Sequence, residues 1–135
     1  WAARVGASAG FKNFSSVNEL SAALAQMLNA QNQPTYLSID KDVFAADVVR
    51  TNWDQGQMQE SEAMALIDAL RGQIRGSDIT GDVSSWQYAT WWKRLMSAGD
   101  GQDTQIDAST LSAWQAGQHG LNQRLVARIA ASRTG

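Results

Sequence analysis

An apolar strand that runs straight into a pair of carboxylates sets the terms for this chain. Thr35-Tyr36-Leu37-Ser38-Ile39 combines β-branched, aromatic and apolar residues, the composition of a short β-strand, and Asp40-Lys41-Asp42 follows at once. A helical pattern precedes this unit and another follows it. The order then recurs, because Gln73–Thr80 reads as a second strand, weakened by Gly76, that ends in Thr80-Gly81-Asp82. Helix, strand and acid twice in series predict an α/β protein with a mainly parallel sheet and helices packed on it. In such folds ligands gather at the carboxyl ends of the strands.

The helices are legible from their caps and spacing. Ser16-Val17-Asn18-Glu19 forms a capping box, in which the hydroxyl accepts from the Glu19 N–H and the carboxylate reaches back. Val17, Leu20, Leu24, Met27 and Leu28 then fall on one helical face, and Pro34 stops any continuation. A second helix is predicted over 59–71, with Glu60 and Glu62 in its first turn, Met64, Ile67 and Leu70 inward, and Gly72 just past its end. Between the first strand and this helix, Val43–Gln57 reads as a long loop kept ordered by Val48, Val49 and Trp53. The opening residues 1–13 read as a loop, with Val5-Gly6 ending a short strand. Trp86, Tyr88, Trp91, Trp92, Leu95 and Met96 predict an aromatic helix or helical turn, and Ser97–Asp103 a Gly/Asp loop. A long helix then opens near Asp107 or Ser109. Its stripe is Leu111, Trp114, Leu121, Leu125 and Ile129, with Gln118 in the one gap.

Composition narrows the function classes. At 135 residues, 44% hydrophobic and 18% charged, the chain is long enough to bury a core and is not disordered. A formal charge of −2 without a basic cluster argues against nucleic acid as a partner. No apolar stretch approaches the roughly 18 residues of a membrane span. With no Cys there is no disulfide framework, thiolate zinc site or cysteine nucleophile, which is compatible with a cytoplasmic protein. The single His, His119, reads as a surface or capping side chain.

The acids carry the candidate chemistry. Asp40 and Asp42, two residues apart at a strand end, can turn toward one hard cation such as Mg²⁺, Mn²⁺ or Ca²⁺. They can equally form a solvated acidic turn with Lys41 softening their repulsion. Asp54, in Thr51-Asn52-Trp53-Asp54-Gln55-Gly56, can accept from a cationic substrate or close a turn on its own backbone. Asp82 can do the same or cap the next helix. Asp78 is either buried and paired or on an edge. The Trp-rich segment reads as core or interface rather than as a stacking platform.

Taken in order, Tyr36-Leu37-Ser38-Ile39-Asp40-Lys41-Asp42-Val43, the Thr51–Met58 segment and Gly76-Ser77-Asp78-Ile79-Thr80-Gly81-Asp82-Val83 resemble the ureohydrolase (arginase/agmatinase) family over Thr35–Ser84. The resemblance implies the C-terminal part of a three-layer α/β/α, arginase-like domain over 1–84. Residues 85–135, which are not the usual family ending, are expected to form an α-helical Trp-rich extension that packs on the same domain. It implies that Asp40 and Asp42 are ligands of a binuclear Mn²⁺ centre. Asp54 would stand where the family's guanidinium-contacting glutamate stands, and Asp82 near a second substrate contact, displaced by one position. The family's other metal ligands, a His and an Asp–x–His–x–Asp segment, lie upstream of this motif and are absent from these residues. They would come from an N-terminal portion of the same protein, continuous or cleaved. The implied activity is hydrolysis of a guanidino (amidino) C–N bond by a cytoplasmic homo-oligomer. The alternative is a non-catalytic arginase-fold subunit that assembles through its Trp-rich tail.

Overall fold

A computed structural model describes residues 14–31, 34–83, 89–99 and 106–133. Among these residues the protein is a small α/β unit: a two-stranded parallel sheet with four helices. The order is α1 (Val17–Gln31), β1 (Thr35–Asp40), a 3-10 turn (Lys41–Val43), α2 (Glu60–Ala69), β2 (Ile74–Thr80), α3 (Trp91–Gly99) and α4 (Ala108–Arg133). The Val5-Gly6 strand end, Trp86, Tyr88 and residues 100–103 lie outside the described residues.

β1, the long loop, α2 and β2 make one β-α-β unit, the connection that parallel neighbours require. In register, Tyr36 pairs with Gly76, Ser38 with Asp78 and Ile39 with Ile79, after an irregularity between Thr35 and Tyr36. Alternation along β1 separates two faces. Ile39 and the half-buried Leu37 face the helices, whereas Tyr36, Ser38 and Asp40 are exposed. On the exposed face Asp78 accepts from the Tyr36 hydroxyl at 3.0 Å and from Ser38 Oγ at 2.7 Å, so it is paired rather than solitary. Gly76 is needed there: a Cβ would come within 2.7 Å of the Tyr36 ring.

α1 packs on α2, α2 on α4, and α4 on β2. Their shared core joins Ile39, Phe44, Val49, Ile67, Ile74 and three residues of α4: Leu121, Leu125 and Ile129. α4 is therefore built into the same core as the sheet. Two ion pairs brace its outer side, Arg124 to Glu60 at 2.6 Å and Arg128 to Asp68. The Glu60–Arg124 bond holds the Glu60 carboxyl below its ordinary range.

Local differences from the sequence reading have local causes. In α1, Ser16 Oγ does accept from the Glu19 N–H at 3.2 Å. The Glu19 carboxylate, however, reaches one residue further back, to the N–H and hydroxyl of Ser15 at 3.0 and 2.7 Å. Met27, expected inward, is half exposed, because α1 lies at the edge of the core and touches only α2 among the helices that pack closely; the Leu28 side chain lies outside the described residues. α2 ends at Ala69, and a hydrogen-bonded turn carries the chain through Leu70 to Gln73. α4 starts where Asp107 caps it, with Oδ1 accepting from the N–H groups of Ser109 and Thr110 at 3.0 Å each. The Ser109 and Thr110 hydroxyls donate to the same carboxylate, and these bonds, with the backbone ones, hold the Asp107 carboxyl far below its ordinary range.

The Trp-rich segment departs furthest. Ser97-Ala98-Gly99, read as the start of a loop, is the last turn of α3. Its buried residue is Ser97, whereas Trp91 (71% exposed), Trp92, Leu95 and Met96 face outward. The helical period was legible, and Ser97 alone among the described residues of α3 is buried.

Because Leu125 is fully buried in the common core, Leu125→Ala is expected to lower stability by about 2–5 kcal/mol. Val126→Ala, one residue on and exposed, is expected to stay within about 0.5 kcal/mol. Denaturant unfolding of the two variants checks this, and equal effects would remove α4 from the core.

Candidate functional site at the strand ends

The carboxyl ends of β1 and β2 lie side by side, since Asp40 is in register with Thr80. The parallel pairing therefore brings Asp40-Lys41-Asp42 against Gly81-Asp82. The chain turns at once after β1 because Asp40 Oδ1 accepts from the Asp42 N–H at 3.3 Å, capping the 3-10 turn. In that turn successive side chains no longer alternate as in a strand, and Lys41 points into the protein while Asp40 stays exposed.

Lys41 is the central feature. Its side chain is 0% exposed, and its ammonium donates to Asp82 Oδ1 and, at 3.2 Å, to Asn122 Oδ1 on α4. An ammonium out of water is tolerated only with such partners. Asp82 is the opposite case, 64% exposed even though it is bonded to the lysine.

Asp42 is half-buried, and its Oδ1 is buried without a hydrogen-bond partner among the described residues. Burial pushes its carboxyl above the ordinary range, opposed by a hydrogen bond from Thr51; the Asp40 charge adds to the rise and Lys41 offsets it. Asp40 lies against Gly81. That glycine has φ of 78°, and a Cβ there would come 2.4 Å from Asp40 Oδ1 and 2.9 Å from the Lys41 nitrogen. The second strand end thus makes room for the first carboxylate by carrying no side chain.

The Val43–Gln57 loop is ordered by its own polar groups. Gly56 N–H donates to Asp42 C=O at 2.7 Å and Met58 N–H to Val43 C=O at 3.0 Å, closing the loop at its base. Gln55 spans the interior: its Nε2 donates to Val49 C=O at 2.7 Å and its Oε1 accepts from the Thr51 N–H. Phe44 and Val49 are buried beneath it, with Thr51 and Asn52 also buried. Asp54 is exposed between Trp53 and Gln55 in this loop.

Gln118 supplies the remaining tie. It is the polar residue in the gap of the α4 stripe, and it is buried. Its Oε1 accepts from the Val83 N–H at 2.8 Å, while Nε2 donates to Arg50 C=O at 2.8 Å and reaches Gly81 C=O at 3.4 Å. One side chain thus joins the loops after both strands.

Of the sequence-derived candidates, Asp40 and Asp42 lie at the end of β1 and Asp82 just past the end of β2, and Asp54 is carried by the adjoining loop. Lys41, Thr51, Gln118 and Asn122 were not singled out for the site. In the sequence Gln118 shows only as the break in an apolar stripe, and Lys41 only as a charge softening the repulsion of its neighbours. His119 is exposed on α4, 3.0 Å from Gln123 Nε2. Among the described residues no three His, Asp or Glu side chains are grouped as a metal ion would need, so Asp40 and Asp42 supply a pair of donors and not a full set. An open cleft of about 720 Å³ lies elsewhere, between α2 and α4, bordered by Met64, Asp68, Arg124 and Arg128. No protein-family model, curated protein or solved structure matches this chain.

The close approach at Gly81 gives a direct check. Gly81→Ala is expected to lose more than about 1 kcal/mol, from left-handed backbone and contact with Asp40 together. Gly117→Ala, in the open on α4 with nothing within 4 Å, is expected to gain about 0.5–1 kcal/mol. Thermal unfolding of both variants tests the pair of signs.

Proposed function

We propose that this chain is the C-terminal part of a Mn²⁺-dependent, ureohydrolase-like enzyme that hydrolyses a guanidino C–N bond. The observation that carries the reading is the buried, unpartnered Asp42 Oδ1 beside Asp40 at a parallel strand end. A carboxylate oxygen withdrawn from water without a donor is stabilised by a cation, and paired carboxylates suit Mn²⁺. Asp40 and Asp42 would hold the metal. Bound there, the manganese centre supplies Lewis-acid activation of water for attack on the guanidinium carbon. The N–H groups of the guanidinium would be met by Asp54 from the exposed loop and by the outer side of Asp82. Their negative charge favours a cationic substrate and orients its carbon toward the strand ends. The C–N bond then breaks and the amine leaves with a proton, releasing urea or a related product.

The open sheet face supports the arginase-like, three-layer part of the proposal. Parallel sheets are ordinarily covered on both faces, yet Tyr36 is 65% exposed and Ser38 and Asp40 are exposed beside it. In this reading the N-terminal portion of the same protein covers that face and brings the remaining metal ligands. A second reading, a non-catalytic arginase-fold subunit, is favoured by α3, whose Trp91, Trp92, Leu95 and Met96 form an exposed apolar side suited to assembly, including homo-oligomers.

Asp40→Ala and Asp42→Ala in the complete protein are expected to remove bound manganese and to lower urea release from guanidino compounds by at least about 100-fold. Elemental analysis coupled to a urea assay across such compounds measures both. Unchanged metal content and activity would end the hydrolase reading. Absence of both in the parent protein would favour the assembly subunit.

A further inference from the structure

Gln118 and Asn122 stand one turn apart on α4, so their side chains leave the helix on the same side. Gln118 bonds the backbone of both strand-end loops, at Arg50 and at Gly81 and Val83. Asn122 bonds Lys41, which is the residue between the two carboxylates, and Lys41 in turn holds Asp82. Four groups from three separate stretches of chain therefore close one network beneath Asp40 and Asp42. Its members are buried or half-buried except Asp82. The apolar stripe of α4 would be better completed by a leucine at position 118, since a buried amide is stable only when its hydrogen bonds are made.

We propose that α4 forms the floor of the strand-end site. In this assignment Gln118, Asn122 and Asp82 are positioning residues: Asn122 and Asp82 fix the Lys41 ammonium, and Gln118 holds the loops after β1 and β2 at one separation. Lys41 is then held inward by Asp82 and Asn122, away from the exposed Asp40 and the half-buried Asp42 on either side of it. Asp82 acts through Lys41, a role separate from any contact made by its outer oxygen. The functional weight of the assignment rests on the reading of Asp40 and Asp42 as ligands. Its physical content does not, because the network involves no metal and no substrate.

The test uses nuclear magnetic resonance and thermal unfolding of the full chain without added metal. The Lys41 ammonium is expected to exchange its protons with water at least about tenfold more slowly than the ammonium of a free lysine side chain in a short peptide. Asp82→Asn is expected to abolish that protection and to lower the Tm by about 5 °C or more, since it strands a buried charge. The double variant Lys41→Met with Asp82→Asn, which removes the charge as well, is expected to recover at least half of that loss. Gln118→Leu fills the stripe but cannot tie the loops. It is expected to speed amide exchange at least tenfold at Gly56 and Met58, which Gln118 does not touch, while amides within α2 and the middle of α4 keep theirs. An unprotected Lys41 ammonium, a double variant no better than Asp82→Asn, or unchanged exchange at Gly56 and Met58 in Gln118→Leu would each overturn the proposal. None of these outcomes bears on whether manganese or a guanidino compound binds, so this assignment and the hydrolase reading fail independently.

Discussion

A lysine ammonium with no solvent exposure is the constraint around which this molecule is organised. Burying that charge requires partners of fixed geometry, and the chain finds them in Asp82, 41 residues away, and Asn122, 81 residues away. Both the parallel pairing of β1 with β2 and the packing of α4 on β2 are needed to bring those groups to one point. The hydrophobic core supplies the bulk of the driving force for that arrangement. The lysine adds a geometric requirement to it, since this alignment of the strand ends and helix supplies the partners that its buried ammonium needs.

The same constraint shapes the surface that faces solvent. With Lys41 turned inward, its neighbours Asp40 and Asp42 remain at the strand end, one exposed against Gly81 and the other half-buried with an unpartnered oxygen. Gln118 and Gln55 use their amides on backbone groups, the first between loops and the second within one. The result is a hydrogen-bonded set of polar groups on α4 next to the acidic strand ends. That combination is the reason for reading the strand ends as a cation site rather than as a solvated turn.

Much of this architecture was legible in the residues themselves, and the parts that were not share a cause. The strands, the four helices and the acids at the strand ends announce themselves through local composition, caps and period: Pro34, Glu60 and Glu62, Asp107. The burial of Lys41 did not, because a lysine between two aspartates looks like a charge in water until Asn122 is placed beside it. Gln118 was visible only as an interruption, since nothing local says that two loops will present a free N–H and two carbonyls to it. α3 makes the same point from the other side. Its spacing identified an aromatic helix or helical turn, but whether Trp91, Trp92, Leu95 and Met96 enter a core or an interface depends on neighbours that the spacing does not encode. Glu19 differs by a single residue for a simpler reason, as Ser15 offers two donors to its carboxylate.

The central claim is that the strand-end carboxylates hold a divalent cation above a fixed internal lysine. Anomalous diffraction at the manganese edge, from crystals of the complete protein grown with Mn²⁺, tests it directly. The account predicts anomalous density within roughly 2.0–2.6 Å of oxygens of Asp40 and Asp42, with the Lys41 ammonium still bonded to Asp82 and Asn122 beneath it. Manganese located away from both aspartates, or the Lys41 ammonium lying between them in the cation's place, would contradict it.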